Sequence, residues 1–149
     1  MIASTVGCWP TPTTFLRLES PMPDPEDCRF LESHEWHHTI DNVTTLGLSR
    51  FAVEELTDIT YVELPEIGTR VEAGQRVGEV ESVKATSEIY AGVTGQVIET
   101  NSLVTTDPSV MNRDPYGDGW LLKIELVEPS ELDALIPGRA YLERHPAAQ

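Results

Sequence analysis

Glu81-Ser82-Val83-Lys84-Ala85-Thr86-Ser87-Glu88 lies between two runs of strand-forming residues, and its reading decides the fold. Val77, Val80 and Val83 precede the lysine or flank it, Ile89-Tyr90 follow it, and Gly92 and Gly95 then reverse the chain. β-Branched and aromatic side chains fit a pleated, half-buried surface, so the stretch reads as a hairpin with Lys84 at its tip. A lysine on a rigid tip meets an enzyme without the entropy cost of ordering a loop. Its amine can form an amide, which removes the charge and extends the side chain into a tether. A tether raises the effective concentration of its cargo at each partner's active site. An exposed lysine between two strands needs no such role, however, and these residues alone name no cargo.

Outward from the hairpin, strand-like segments recur at Thr39–Leu48, Thr60–Leu64, Val77–Val83, Ser87–Tyr90, Gly95–Thr100 and Trp120–Leu126, with turn signals between them. Asp41-Asn42 divides the first of these into two strand edges. Phe51–Leu56 reads as a short helix with Ser49 as N-cap. A second helix is expected from Pro129-Ser130-Glu131-Leu132, with Ser130 as cap and Pro137-Gly138 as stop. Phe51, Leu56, Tyr61 and Leu64 are expected in the core. In Tyr116-Gly117-Asp118-Gly119-Trp120 the glycines are expected to allow a positive-φ turn, from which Trp120 returns to a core strand. Gly68–Gly74 and Gly92–Ile98 echo one another, each placing a glycine turn before a strand. Two such units on either side of Lys84 would form a two-sheet sandwich.

The ends read differently. Pro10, Pro12, Pro21, Pro23 and Pro25 punctuate residues 1–27, which sustain no period of two or 3.6. This segment is expected to be disordered, or to precede the true start if that is Met22. It lacks the basic start and apolar core of a secretory signal and the arginine richness of a mitochondrial presequence. The carrier-like unit is expected over 28–143, with 144–149 frayed.

Composition limits the partners. Twenty-five acids against ten bases give a formal charge of −15. Such a surface repels phosphate backbones and anionic lipid, which argues against nucleic-acid and membrane partners and suits docking on basic rims. No apolar run approaches the roughly 20 residues that span a bilayer. Cys8 and Cys28 form no CxxC pair, so a reducing compartment is the simpler expectation.

His34-Glu35-Trp36-His37-His38 satisfies HExxH, the zinc-peptidase pattern. That chemistry needs a helix, whose i and i+4 histidines converge on one ion. Here the motif runs into a strand, where the two histidines would stand about 13 Å apart at roughly 3.3 Å per residue. Zinc peptidase is therefore the different-class alternative, and no metal site is expected.

The chain from about Phe30 to Leu142 resembles the H protein of the glycine cleavage system. The resemblance rests on Ser33-His-Glu-Trp36, Val62-Glu-Leu-Pro-Glu-Ile-Gly68, Val71-Glu-Ala-Gly74, Glu79-Val-Glu-Ser-Val-Lys-Ala-Thr-Ser-Glu-Ile89, Asn112-Arg-Asp-Pro-Tyr-Gly-Asp-Gly-Trp120 and Pro129-Ser-Glu-Leu-Asp133, in the family's order. It implies a mostly β fold, a barrel-sandwich hybrid of the lipoyl-carrier type with short peripheral helices and a C-terminal helix. It implies a non-catalytic carrier with lipoate amide-linked to Lys84, and Glu81, Val83 and Ala85 as the recognition motif for attachment by a lipoyl ligase or transferase.

The implied cycle takes an aminomethyl group from the pyridoxal-phosphate-dependent glycine decarboxylase (P protein) to the aminomethyltransferase (T protein). Dihydrolipoyl dehydrogenase (L protein) then reoxidises the arm. The cofactor carries the chemistry and the protein supplies position. The family holds the loaded arm near acids matching Glu35 and Glu88, where a carboxylate would attract the cargo's cationic amine; solvated strand charges are the plain alternative. A monomer in the bacterial cytoplasm is expected, or in the mitochondrial matrix if eukaryotic. The carrier-class alternative is an H-like relay that lipoylates other enzymes. A 2-oxo acid dehydrogenase lipoyl domain would show Asp-Lys-Ala, and a biotin carrier Met-Lys-Met. Arg50, Thr57 and the Ala91–Gly95 turn depart from the family pattern.

Overall fold

A computed structural model describes residues 24–145. The expectations for residues 1–23 and 146–149 lie outside that range. Two sheets form the body. Strands β1 (Arg29–Phe30), β2 (Glu35–Ile40), β3 (Val43–Leu48), β5 (Arg70–Val71), β8 (Gly95–Thr100), β9 (Leu122–Leu126) and β10 (Ile136–Pro137) make one, in the order β10-β1-β2-β3-β9-β8-β5. Strands β4 (Ile59–Glu63), β6 (Arg76–Ser82) and β7 (Thr86–Tyr90) make the other, with β6 in the centre. The expected mostly β architecture with peripheral helices and a helix at the C-terminal end is what forms.

Alternation along the strands builds the core. In β9, Leu122, Ile124 and Leu126 point inward while Lys123 and Glu125 do not, the period of two of a half-buried strand. Leu46, Val80, Ile89, Val97 and Ile124 meet between the sheets, each fully buried. A second cluster lies under the C-terminal helix α4 (Gly138–Arg144), where Phe30 stacks on Tyr141 at 3.9 Å between ring centroids. Trp36 anchors it and donates its indole N–H to the Pro115 carbonyl, 3.0 Å away. The β2–β3 hairpin turns on Asp41 (φ 50°) and Asn42 (φ 69°), the two positive values that match the right-handed strand twist.

The segment carrying HExxH enters β2, the strand expected of it, so the helix that a shared zinc ion needs does not form there. Several other sequence expectations are corrected. Tyr61 faces solvent at 48% exposure, because it falls on the outer side of β4 beside the inward Val62. Gly117 and Gly119 have no positive φ; Gly119 is required instead by close packing, since a Cβ there would meet the Asp114 carbonyl oxygen at 2.8 Å. Trp120 is only half-buried, and the strand begins two residues later.

Pro129–Ala134 forms a 3₁₀ helix in which Ser130 does not cap but bonds the Glu128 carboxylate. Pro137-Gly138 does not stop a helix; Pro137 completes β10 and Gly138 opens α4. That helix includes Arg144, so order runs past the expected limit of 143. Order also begins before residue 28: Asp24 caps a 3₁₀ turn at Pro25–Asp27, which packs on α4 where Gly138 leaves room for three backbone carbonyls. Two short helices, α2 (Ser102–Thr106) and α3 (Val110–Arg113), carried no helical period and were not expected. Among the described residues no helix is long and apolar enough to cross a membrane.

Candidate functional site

The strands β6 and β7 pair up to Glu81 opposite Thr86, which leaves Ser82-Val83-Lys84-Ala85 as the connecting turn. Ser82 fixes this turn at both ends. Its hydroxyl accepts from the Lys84 N–H (3.2 Å) and the Ala85 N–H (3.0 Å) and donates to the Ala85 carbonyl (3.1 Å), while its own N–H reaches that carbonyl at 2.8 Å. Val83 stands 69% exposed beside the lysine. Lys84 is exposed, and its ammonium donates to the Glu55 carbonyl oxygen at 3.1 Å.

The tip is buttressed from behind. Helix α1 (Arg50–Leu56) begins at Ser49, whose hydroxyl accepts from the Ala52 N–H as expected, and ends at Thr57 with φ 63°. The next residue, Asp58, offers its carbonyl to the Val83 N–H at 3.0 Å. Asn112 of α3 holds this connection in place: its amide donates to the Thr57 carbonyl (2.6 Å) and accepts from the Ile59 N–H (3.0 Å). A chain of hydrogen bonds therefore runs from α3 through the end of α1 to the lysine turn. Sequence reasoning gave Ser82 and Asn112 no such part. Asn112 lies 55 residues from Thr57, a separation that no local period reveals.

Of the residues expected to form the attachment motif, Val83 and Ala85 lie exposed in the turn, and Glu81 is the last paired residue of β6 before it, half-buried. Glu35 and Glu88 are placed unlike one another. Glu88 is exposed on the outer face of β7, receiving the Tyr90 hydroxyl on one oxygen and the Arg76 guanidinium on the other at 3.2 Å. Glu35 is fully buried, which excludes the solvated reading; Ser33 donates to one oxygen and the Tyr90 N–H to the other at 2.8 Å. Tyr90 thus touches both carboxylates, one through its backbone and one through its ring. Burial pushes Glu35 up to about 7, against the pull of its hydrogen bonds from Ser33 and Tyr90.

The histidines of this stretch have separate surroundings, His34 and His38 being the two of the HExxH pattern and His37 lying between them. His34, at φ 81°, pairs its Nδ1 with the Tyr141 hydroxyl at 2.7 Å, and Ser49 meets the same hydroxyl at 2.8 Å. Its ring also lies 4.7 Å from Phe51 and 5.1 Å from His145. Burial and then His145 hold its pKa below the ordinary imidazole value. His37 points inward, accepts from the Gly92 N–H at 3.0 Å, and is pushed down to about 4 by burial. Among the described residues, no three His, Cys, Asp or Glu side chains are placed to hold a metal ion.

Comparison with known proteins adds the family to this geometry. The family model described as glycine cleavage H-protein matches residues 28–146. The glycine cleavage system H protein of Marinobacter nauticus is 41% identical over 126 residues, covering 84% of this chain and 96% of its own. The H protein of Gloeothece citriformis is 45% identical over 118 residues, covering 78% of this chain and 90% of its own. The crystal structure of a glycine cleavage system H protein from Mycobacterium marinum matches with a TM-score of 0.74 at 33% identity, covering 83% of this chain and 99% of that one. The family match spans the lysine hairpin, the two-sheet body and the C-terminal helix, and the chain belongs to the glycine cleavage H-protein family.

Proposed function

We infer that this chain is the lipoyl carrier of a glycine cleavage system and that Lys84 is its attachment point. The observation that carries the reading is the Lys84 turn itself, exposed and fixed by Ser82, in a chain of this family. The residues present suit an amide-linked arm. The Lys84 amine has one backbone contact to give up, and a turn with its backbone already ordered loses little entropy when an enzyme grips it. Lipoate bound there supplies a reducible disulfide that takes up and releases a one-carbon cargo. The protein contributes position, and no residue of it performs the chemistry.

The partners follow as the decarboxylase, the aminomethyltransferase, dihydrolipoyl dehydrogenase and a lipoyl ligase or transferase. The formal charge of −15 supports docking on basic rims, with a single copy of the chain reaching each partner in turn. Glu81, Val83 and Ala85 form the face that the attaching enzyme meets. Glu88 attracts the cargo's cationic amine at the surface. Glu35, with a pKa close to neutrality, sits one residue contact behind it through Tyr90 and takes on charge when a cation comes near. Microbial relatives favour the bacterial cytoplasm as its compartment.

Reconstitution tests this directly. Lipoylated chain mixed with the decarboxylase and glycine is expected to release carbon dioxide in proportion to carrier added, and the Lys84→Arg chain to release none. Full lipoylation with no glycine-dependent release would assign the chain to lipoyl relay instead.

A further inference from the structure

The outer face of the three-stranded sheet beneath Lys84 carries Glu63, Glu79, Glu81 and Glu88, and in its three strands Arg76 is the single cation. The Arg76 guanidinium reaches three of these carboxylates at once. Its Nη2 lies 3.6 Å from Glu63 and 3.3 Å from Glu79, and its Nε lies 3.2 Å from Glu88. With the Tyr90 hydroxyl on the other Glu88 oxygen, both oxygens of that carboxylate are engaged. Arg76 stands at the far end of β6 from the Lys84 turn and Glu88 midway along β7, so the guanidinium reaches back toward the lysine.

We propose that Arg76 is a positioning residue that competes with the cationic cargo of the arm for Glu88, and so sets how long the loaded arm stays on the carrier's own surface. This rests on the reading of Glu88 as an arm-docking acid. A cation arriving at Glu88 must displace the guanidinium or share its carboxylate. Arg76 itself loses little by leaving Glu88, because Glu63 and Glu79 still hold it. The pair is half-exposed and worth little by itself, which suits an exchangeable contact: a buried pair would exclude the arm altogether. A carrier needs its cargo sheltered between enzymes yet free to leave at the next one, and a weak internal competitor provides that balance.

The test uses lipoylated full-length chain with its arm in the disulfide form. The decarboxylase loads it from glycine, the S–S bond breaking to give one thiol and one S-aminomethyl group as carbon dioxide leaves, and is then removed. The loaded carrier slowly loses its cargo to water: the C–S bond breaks, the thiol takes up a proton, and formaldehyde and ammonium leave. Intact mass follows this loss. Arg76→Gln is expected to slow it two- to fivefold in low salt, with the gain shrinking as salt screens the contact, and Arg76→Lys to fall between. Glu88→Gln is expected to speed the loss, and the double variant to match Glu88→Gln alone. In unlipoylated chain at low salt, Arg76→Gln should move the Glu88 side-chain carboxyl resonance in NMR and Arg76→Lys should largely restore it, a pattern that mere loss of packing would not give. Unchanged or faster loss in Arg76→Gln, with Glu88→Gln still faster than wild type, overturns the role of Arg76 alone. Unchanged loss in Glu88→Gln overturns the docking reading and this inference with it.

Discussion

Replacing Glu35 with Gln removes one of two buried titrations that oppose each other on the same strand. Glu35 rises from 4.5 to about 7 in the folded chain, and burial is the main cause. The native state therefore holds a proton that the unfolded state has released. The resulting stability is fully present below pH 4.5 and is lost as pH rises through about 7. His37, two residues on, does the reverse. Its pKa falls from 6.5 to about 4, so its contribution is present above 6.5 and is lost as pH falls toward 4. Each gap spans about 2.5 pH units, and at ~1.4 kcal/mol per unit each is worth roughly 3 kcal/mol. Between pH 4.5 and 6.5 the two slopes cancel.

Urea unfolding followed by tryptophan fluorescence at pH 4 to 8 reads this out. Groups common to both chains drop out of the difference between Glu35→Gln and wild type, leaving the Glu35 titration. That difference is expected to move in favour of the variant by about 3 kcal/mol from pH 4 to pH 8. The variant itself should lose stability on acidification through the unmasked His37. A difference flat across this range would refute the burial argument for Glu35.

Three further outcomes are expected. Ser82→Ala removes the hydroxyl that ties both ends of the lysine turn; it should cost about 1 kcal/mol by urea unfolding and slow lipoylation of Lys84 by a ligase. Gly47→Ala would set a Cβ 2.6 Å from the buried Trp36 indole, which should destabilise by ~1–3 kcal/mol in thermal unfolding. Thr57→Gly relieves a φ of 63° at the end of α1; relief of ~1–3 kcal/mol of strain, less the added flexibility of glycine at ~0.5–1, should raise the melting temperature.

The hairpin, the Asp41-Asn42 turn and the Ser49 cap were legible because each is written in a few adjacent residues: strand-forming side chains ahead of glycines, two turn formers, one hydroxyl before a helix. The lysine tip could be read from the residues, while its cofactor came only with the family resemblance. What failed was decided at a distance. Tyr61 follows the same strand-forming preference as Val62, and only the side of β4 on which it falls sends it outward. Gly119 looked like a positive-φ turn but serves the close approach of the Asp114 carbonyl. The acids are the clearest case. Glu35 and Glu88 look alike in sequence, yet one is sealed between the sheets and the other is shared at the surface with Arg76.

The central claim is that Lys84 carries the arm, and intact-mass spectrometry of the chain purified from a lipoate-replete bacterial host tests it most directly. The account predicts a single lipoyl-sized increment that maps to the Glu81–Ala85 peptide and vanishes in Lys84→Arg while the fold is kept. A chain that emerges unmodified, or whose increment survives in Lys84→Arg, would contradict it.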